Sequence, residues 1–318
     1  MKTNSHFIRR TTVTLAALGA LVVALAGTAQ AGESPYSSIV VFGDSLEDPG
    51  NAFVLTGQIA TQPFDPIPSA AYAIGGHHFS NGKTWVEQLG RHMGLLRSTG
   101  PAFRDPAVAS NYAIGGSRAR VVATSPTAAQ QVGAYLAYTG GTASGDALYV
   151  VGFGGNDIRD ALVDPANALT IVGEAAAAMA GHLKTLCEAG AEEFMIANVP
   201  NLGVTPAIRA AGPQAAGFAT LLSWNLNGLV QAHIAGMVQP ACPEARFVTL
   251  DLFGLSSAVV AYPEGFGFAD AQPCLTFGTI GNAICNNPTV KFFWDAIHPT
   301  RDGHAVLAAE AISLIGTP

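Results

Sequence analysis

Short runs of β-branched and aromatic residues alternate along most of the chain with long stretches whose apolar residues recur at helical spacing. Residues 37–42 (SSIVVF) form one such run and end at a glycine. Residues 147–153 (ALYVVGF), Glu193–Ala197 (EFMIA) and Arg246–Leu250 (RFVTL) are similar, each followed by a loop containing Gly, Asn or Asp. Runs of this length, bounded in this way, predict buried strands. Residues 167–189 are Ala-rich, open on a candidate Asn cap and stop before Gly190, which predicts a helix. Residues 213–237 begin with a proline suited to a first helical turn and carry Phe218, Leu221, Leu222 and Leu229. Residues 303–315 predict a closing helix. Strands alternating with helices imply a mostly parallel sheet with helices on both faces. Residues 47–110, with Pro63, Pro66, Pro68, Gly75 and Gly76, are the least regular. Long loops in such folds shape a binding site.

Composition agrees with a foldable globular chain. Of 318 residues, 49% are hydrophobic and 12% charged, against roughly 25% charged in an average soluble domain. That excludes a disordered polyelectrolyte and a coiled coil. The N-terminus changes the picture. Lys2, Arg9 and Arg10 precede an uncharged run over residues 13–26, and Ala29-Gln30-Ala31 follows. This pattern reads as a secretory signal peptide over residues 1–31, leaving 32–318 as a single domain. The run is short of the ~20 residues that cross a bilayer, so no stable membrane anchor is expected. No cysteine precedes Cys187, so a lipid-modified signal peptide has no attachment residue. The expected destination is extracellular or periplasmic, after cleavage near Ala31.

Losing three basic residues with that segment takes the formal charge from −7 to −10. An acidic surface without a basic stripe disfavours nucleic acid as a partner. Four cysteines in an oxidising compartment read as two disulfides. Of the three possible pairings, loop logic favours Cys274–Cys285 across a Gly-containing loop, leaving Cys187–Cys242. No C-x-x-C occurs, so neither redox nor zinc chemistry is indicated at these thiols. Oligomeric state is not legible, and a monomer is the default.

In a parallel α/β sheet, ligands bind outside the carboxyl ends of the strands. Four islands follow the predicted strands or precede the last helix: Gly43-Asp44-Ser45-Leu46, Gly115-Gly116-Ser117, Gly154-Gly155-Asn156-Asp157, and residues 294–300 with Asp295 and His298. Together they hold an acyl-transfer kit. Ser45 is the candidate nucleophile, because a serine hydroxyl needs only a neighbouring base to become reactive. His298 is the candidate base, since an imidazole exchanges a proton near neutrality. Asp295, three residues earlier, can reach the imidazole and fix its tautomer. The Ser45 and Gly116 N–H groups, with the Asn156 amide, are candidate oxyanion donors.

The four islands resemble the blocks of the SGNH/GDSL family of serine esterases and lipases. Val41-Phe42-Gly43-Asp44-Ser45-Leu46 matches its nucleophile block, and Asn111-Tyr112-Ala113-Ile114-Gly115-Gly116 its glycine block. Gly154-Gly155-Asn156-Asp157 fits its G-x-N-D block, and Asp295-Ala296-Ile297-His298 its D-x-x-H block. Phe79-Ser80-Asn81-Gly82 and Phe293-Trp294-Asp295 are similar to its secreted lipase, phospholipase and haemolysin branch. The resemblance implies a three-layer α/β/α flavodoxin-like fold with a mostly parallel five-stranded sheet. It also implies hydrolysis of small-molecule or lipid esters through an acyl-enzyme, with no cofactor and no metal. Two features depart from the pattern: Glu47-Asp48-Pro49 replaces a small-residue turn, and Arg118 puts a charge beside the oxyanion glycine. The same site could serve an acyltransferase, a phospholipase or a polysaccharide acetylesterase, or persist on a non-catalytic binding module.

Other motifs are weaker. Taken singly, Gly43-Asp44-Ser45 and Gly154-Gly155-Asn156-Asp157 read more often as a turn or a helix cap, and Asp295 with His298 also reads as a capping pair. Gly76 and Gly82-Lys83-Thr84 are spaced one residue too far apart for a P-loop, and Asp157 occupies the third glycine of a dinucleotide fingerprint. Ser117 in Gly115-Gly116-Ser117-Arg118-Ala119 is a rival nucleophile, ranked below Ser45 because Ser45 directly follows a strand. His77 and His78 are adjacent rather than helically spaced, so they are not a metal pair. His304 reads as structural, Asn51, Asn81 and Asn111 as braces, and Asp157 as the group that orders the Asn156 loop.

Overall fold

The computed structural model describes residues 34–57, 59–60, 66–67, 72, 74–276 and 283–315. The signal-peptide reading of residues 1–31 lies outside them. Four parallel strands form the central sheet in the order β1 (Ile39–Gly43), β2 (Leu148–Gly152), β3 (Glu193–Ala197) and β4 (Arg246–Leu250). All four fall within a residue or two of the runs read from the sequence.

The fifth strand expected of the sheet is reduced to a bridge. Asn111 pairs with Val41 on the outer side of β1, and the Tyr112 and Ile114 N–H groups donate to the Val41 and Gly43 carbonyls. The pairing stops short of a strand because the Gly43 N–H, whose next ladder partner would be the Tyr112 carbonyl, donates instead to Gln131 Oε1 at 3.0 Å. A distant side chain has taken a donor that the ladder would have used. Counting that segment, the spatial order is the flavodoxin-like 2-1-3-4-5.

Strand side chains alternate between two buried faces, as in any sheet covered on both sides. One face carries Val40, Phe42, Tyr149, Val151, Phe194 and Ile196. Tyr149, Phe194 and Phe247 lie in register across three strands, with centroids 5.6 Å apart for the tilted first pair and 4.9 Å for the stacked second. Helices α3 (Ala128–Tyr138), α4 (Gly155–Val163), α5 (Ala168–Glu188) and α6 (Pro213–His233) supply the side chains of this core, with Ala175, Ala176 and Ala180 of α5 buried in it. The other face, with Ile39, Val41, Val150 and Met195, shares its core with α2 (Trp85–His92), α7 (Leu252–Ala261) and α8 (Arg301–Ile315).

Both disulfides pair as loop logic favours, Cys187 with Cys242 and Cys274 with Cys285. The first joins the end of α5 to the segment entering β4. The second closes the chain just ahead of a short strand, Lys291–Phe293, that pairs with Asp270–Pro273. No helix among the described residues is long and apolar enough to cross a membrane.

Candidate active site

The carboxyl end of β1 delivers Asp44 and Ser45 to the sheet edge. Asp44 shapes the turn by accepting the Leu46 N–H on its own Oδ1 at 3.2 Å. Ser45 Oγ stands 2.8 Å from His298 Nε2, across 253 residues of chain. His298 Nδ1 lies 2.7 Å from Asp295 Oδ2. The Asp295 carboxylate is fully buried and receives further donors: the Ile297 and His298 N–H groups at 2.8 and 2.7 Å, and the Tyr72 hydroxyl at 2.7 Å. Burial alone would raise its pKa, but the His298 charge and these hydrogen bonds outweigh it and hold the carboxyl below its ordinary value. The same arrangement drives the Tyr72 phenol upward, through burial and the neighbouring carboxylate.

The glycine block is linked to His298 through the Phe79 ring. Gly116 has φ 81°, a left-handed conformation open to glycine. Neither the Ser45 nor the Gly116 N–H has a hydrogen-bond partner among the described residues. Gly115 is tightly specified too, since a Cβ there would stand 2.0 Å from the Phe79 ring. That ring also packs beside His298, with centroids 5.4 Å apart. Asn156 sits at the start of α4, after Gly154 turns the chain at φ 118°. Its amide donates to the Ser117 carbonyl at 3.0 Å and makes a longer 3.3 Å contact with Asp44.

The two departures from the family pattern are built into the site. Asp48 is buried and accepts four main-chain N–H groups: Gly50 and Asn51 on Oδ1, Ala52 and Gly115 on Oδ2. It therefore bolts the glycine block to the nucleophile loop. Burial nevertheless pushes its carboxyl up to about 6. Glu47 is buried beside it and accepts the Trp85 indole N–H at 2.9 Å, with burial and then the Asp44 charge raising its pKa well above normal. Arg118 is no free charge. It donates to the Gly116 carbonyl at 2.7 Å and forms a two-pronged pair with Asp160.

Other candidates fall into place away from the chemistry. Ser117 is buried, donates to the Ile114 carbonyl and accepts from Gln131, so no imidazole activates it. Asp157 holds the Ala119 N–H at 2.8 Å and pairs with Arg120, tying the glycine loop to α4. Asn51 and Asn111 brace the loops, and Asn81 caps α8 through the Arg301 N–H. His78 is paired with Glu87. His304 is buried and accepts the Trp85 N–H, and burial lowers its pKa to about 3. No cluster of three or more metal-ligating side chains occurs among the described residues. Sequence reasoning missed Tyr72 and Arg159. The first lies in an irregular stretch and meets Asp295 only through the fold. The second lines the cavity and donates to Asn156 Oδ1 at 3.3 Å.

A cavity partly open to solvent is lined by Ser45 and His298. Its walls come from the carboxyl ends of the strands, as the parallel-sheet rule expects. Leu46, Phe153, Val199, Leu202, Phe293 and Ile297 make much of it apolar.

Known proteins are similar to this chain over most of its length. The sequence model described as GDSL-like Lipase/Acylhydrolase matches residues 39–311. An esterase from Pseudomonas aeruginosa, Esterase EstA, is 29% identical over 94% of this chain and 50% of its own length. A thermolabile hemolysin from Vibrio parahaemolyticus is 26% identical over 87% of this chain and 63% of its own. A GDSL esterase/lipase from Arabidopsis thaliana is 24% identical over 89% and 90%. This chain spans about half the length of the Pseudomonas esterase. Among solved structures, an acetylxylan esterase from Geobacillus stearothermophilus aligns over 90% of this chain and 97% of its own, with TM-score 0.47 and 14% identity.

Proposed function

This chain belongs to the family of GDSL-like lipases and acylhydrolases, and from that premise we propose that it is an exported serine hydrolase that cleaves carboxylic esters through an acyl-enzyme on Ser45. The observation that carries the reading is the relay Ser45–His298–Asp295, with bonds of 2.8 and 2.7 Å. His298 Nε2 takes the Ser45 proton as Oγ attacks the ester carbonyl, and the carbonyl π electrons move onto oxygen. Asp295 holds the imidazole with Nδ1–H directed at itself and stabilises the imidazolium. The oxyanion meets the unpaired Ser45 and Gly116 N–H groups. The Asn156 amide joins them by giving up its long contact to Asp44 while keeping the Ser117 carbonyl. Each such donor is worth about 3–4 kcal/mol in the transition state. Collapse breaks the ester C–O bond, and His298 returns the proton to the leaving alcohol. Water then attacks the acyl-Ser45 by the same path, releasing the acid and restoring the hydroxyl.

Residues 32–318 serve as one catalytic domain in this reading, delivered outside the cytoplasm by the N-terminal segment. Two disulfides support an oxidising destination. The decisive experiment is Ser45→Ala. Hydrolysis of p-nitrophenyl esters and labelling by a fluorophosphonate should both disappear while the circular dichroism spectrum is unchanged. Retained turnover in that variant overturns the assignment.

A further inference from the structure

The cavity that Ser45 and His298 line also has buried apolar residues in its lining: Gly152, Ala197, Leu252, Phe292 and Leu307. Beside these groups lies the carboxyl of Glu47, itself 1% exposed. It occupies a space that two glycines leave open. A Cβ at Gly43 would stand 2.6 Å from Glu47 Oε2, and one at Gly152 would stand 3.0 Å from its Cδ. These glycines are partners in register at the ends of β1 and β2. The side chain is also pinned, with Oε1 on the Trp85 indole at 2.9 Å and Oε2 within 3.4 Å of the Asp44 N–H.

We propose that Glu47 forms the inner stop of the acyl-binding cavity and makes the enzyme select against long acyl chains, an inference that rests on the ester-hydrolase reading above. Each methylene buried in the apolar section is favourable. A chain reaching Glu47 gains nothing by going further, because it must dislodge a buried carboxyl from its indole donor and strand both groups. A residue as small as alanine at this position leaves the pair of glycines as the floor and frees room for roughly two to three more methylenes.

The test is the kcat/KM profile on p-nitrophenyl esters from acetate to palmitate, for the wild type, Glu47→Ala and Glu47→Gln. In Glu47→Ala the optimum moves to longer chains, and the esters just beyond the wild-type optimum gain roughly 10-fold or more. Glu47→Gln, which keeps the volume, keeps the wild-type profile. If Glu47 only braced the nucleophile loop, Glu47→Ala would scale every ester by the same factor, and that result overturns the proposal. Should the orphaned indole unfold Glu47→Ala, the double variant Glu47→Ala/Trp85→Phe removes both partners and is read the same way. Independently of any variant, a wild-type profile that climbs steadily to palmitate overturns it. A wild type inert toward every ester defeats the ester-hydrolase reading itself, whereas an active wild type with an unmoved Glu47→Ala optimum defeats only the inference.

Discussion

The nucleophile and its base are held by different means. Ser45 follows directly from a central strand, and its loop is tied down by buried side chains: Glu47 on Trp85, Asp48 on four N–H groups, Asn51 on the Asn111 and Ala113 carbonyls. Asp295 and His298 stand on a loop outside the sheet. That loop is fixed by the two N–H bonds Asp295 accepts, by the Trp294 N–H on the His298 carbonyl, and by the Leu275 and Cys274 N–H groups on Trp294 and Phe293. Ser80 and Asn81 fasten its far end through Pro299 and Arg301. The hydroxyl therefore inherits its place from the core, while the imidazole depends on a lattice of loop bonds closed by Cys274–Cys285. The base half is the more vulnerable one.

The largest expected effect strikes that half. Asp295→Asn removes the charge and lets the imidazole take the wrong tautomer, so kcat on p-nitrophenyl esters should fall about 10⁴-fold with the fold intact by circular dichroism. A loss under about 10-fold would break the comparison, since it would mean that loop bonds alone orient His298.

The disulfides sharpen it. By loop length alone, replacing Cys187 and Cys242 by alanine, with a separation of 55 residues, should cost about 4 kcal/mol, and replacing Cys274 and Cys285, with a separation of 11, about 3. Activity well below each variant's melting temperature should run the other way and drop only when the shorter loop is opened. Urea unfolding and ester turnover on the same preparations check both orders.

On the nucleophile half, Asp48→Ala strands main-chain donors and should cost about 1–3 kcal/mol of stability. It should also lower kcat more than KM, because the Gly115 N–H loses its anchor and Gly116 drifts from the oxyanion position. An unchanged kcat would detach Asp48 from the site.

The smallest effect concerns His304, which lies behind the base loop. Its folded pKa of about 3 is below the unfolded 6.5, so the native state binds fewer protons than the unfolded chain between those values. Stability from this group is present above pH 6.5 and falls as pH drops toward 3, by about 1.4 kcal/mol per unit. Melting curves at pH 7 and pH 5.5 should show His304→Gln losing less stability than the wild type over that interval.

The strands and long helices were legible because local patterns decide them. Period-2 burial put Val40 and Phe42 on one face and Ile39 and Val41 on the other, while Asn167 and Gly190 bracket the longest Ala-rich helix. The fifth strand was not legible as a bridge, since the competitor for the Gly43 N–H, the Gln131 side chain, comes from 88 residues away. Motif order suggested which residues to watch, but no spacing announces Tyr72, which reaches Asp295 from 223 positions away. Likewise Arg118 looked like an intrusive charge until Asp160 was seen to hold it.

What the sequence determined by itself is whatever neighbours along the chain can settle: the alternation of strand and helix, the glycines a left-handed turn demands, and the reach of Asp295 to an imidazole three residues on. What only the tertiary structure decided is which distant groups share a low-dielectric space. Burial turned Glu47 from an odd letter in a turn into a wall of the cavity, and brought a hydroxyl and an imidazole together from opposite ends of the described chain. Contacts between remote segments depend on how whole faces pack, and that information is spread over the core rather than written at any one position.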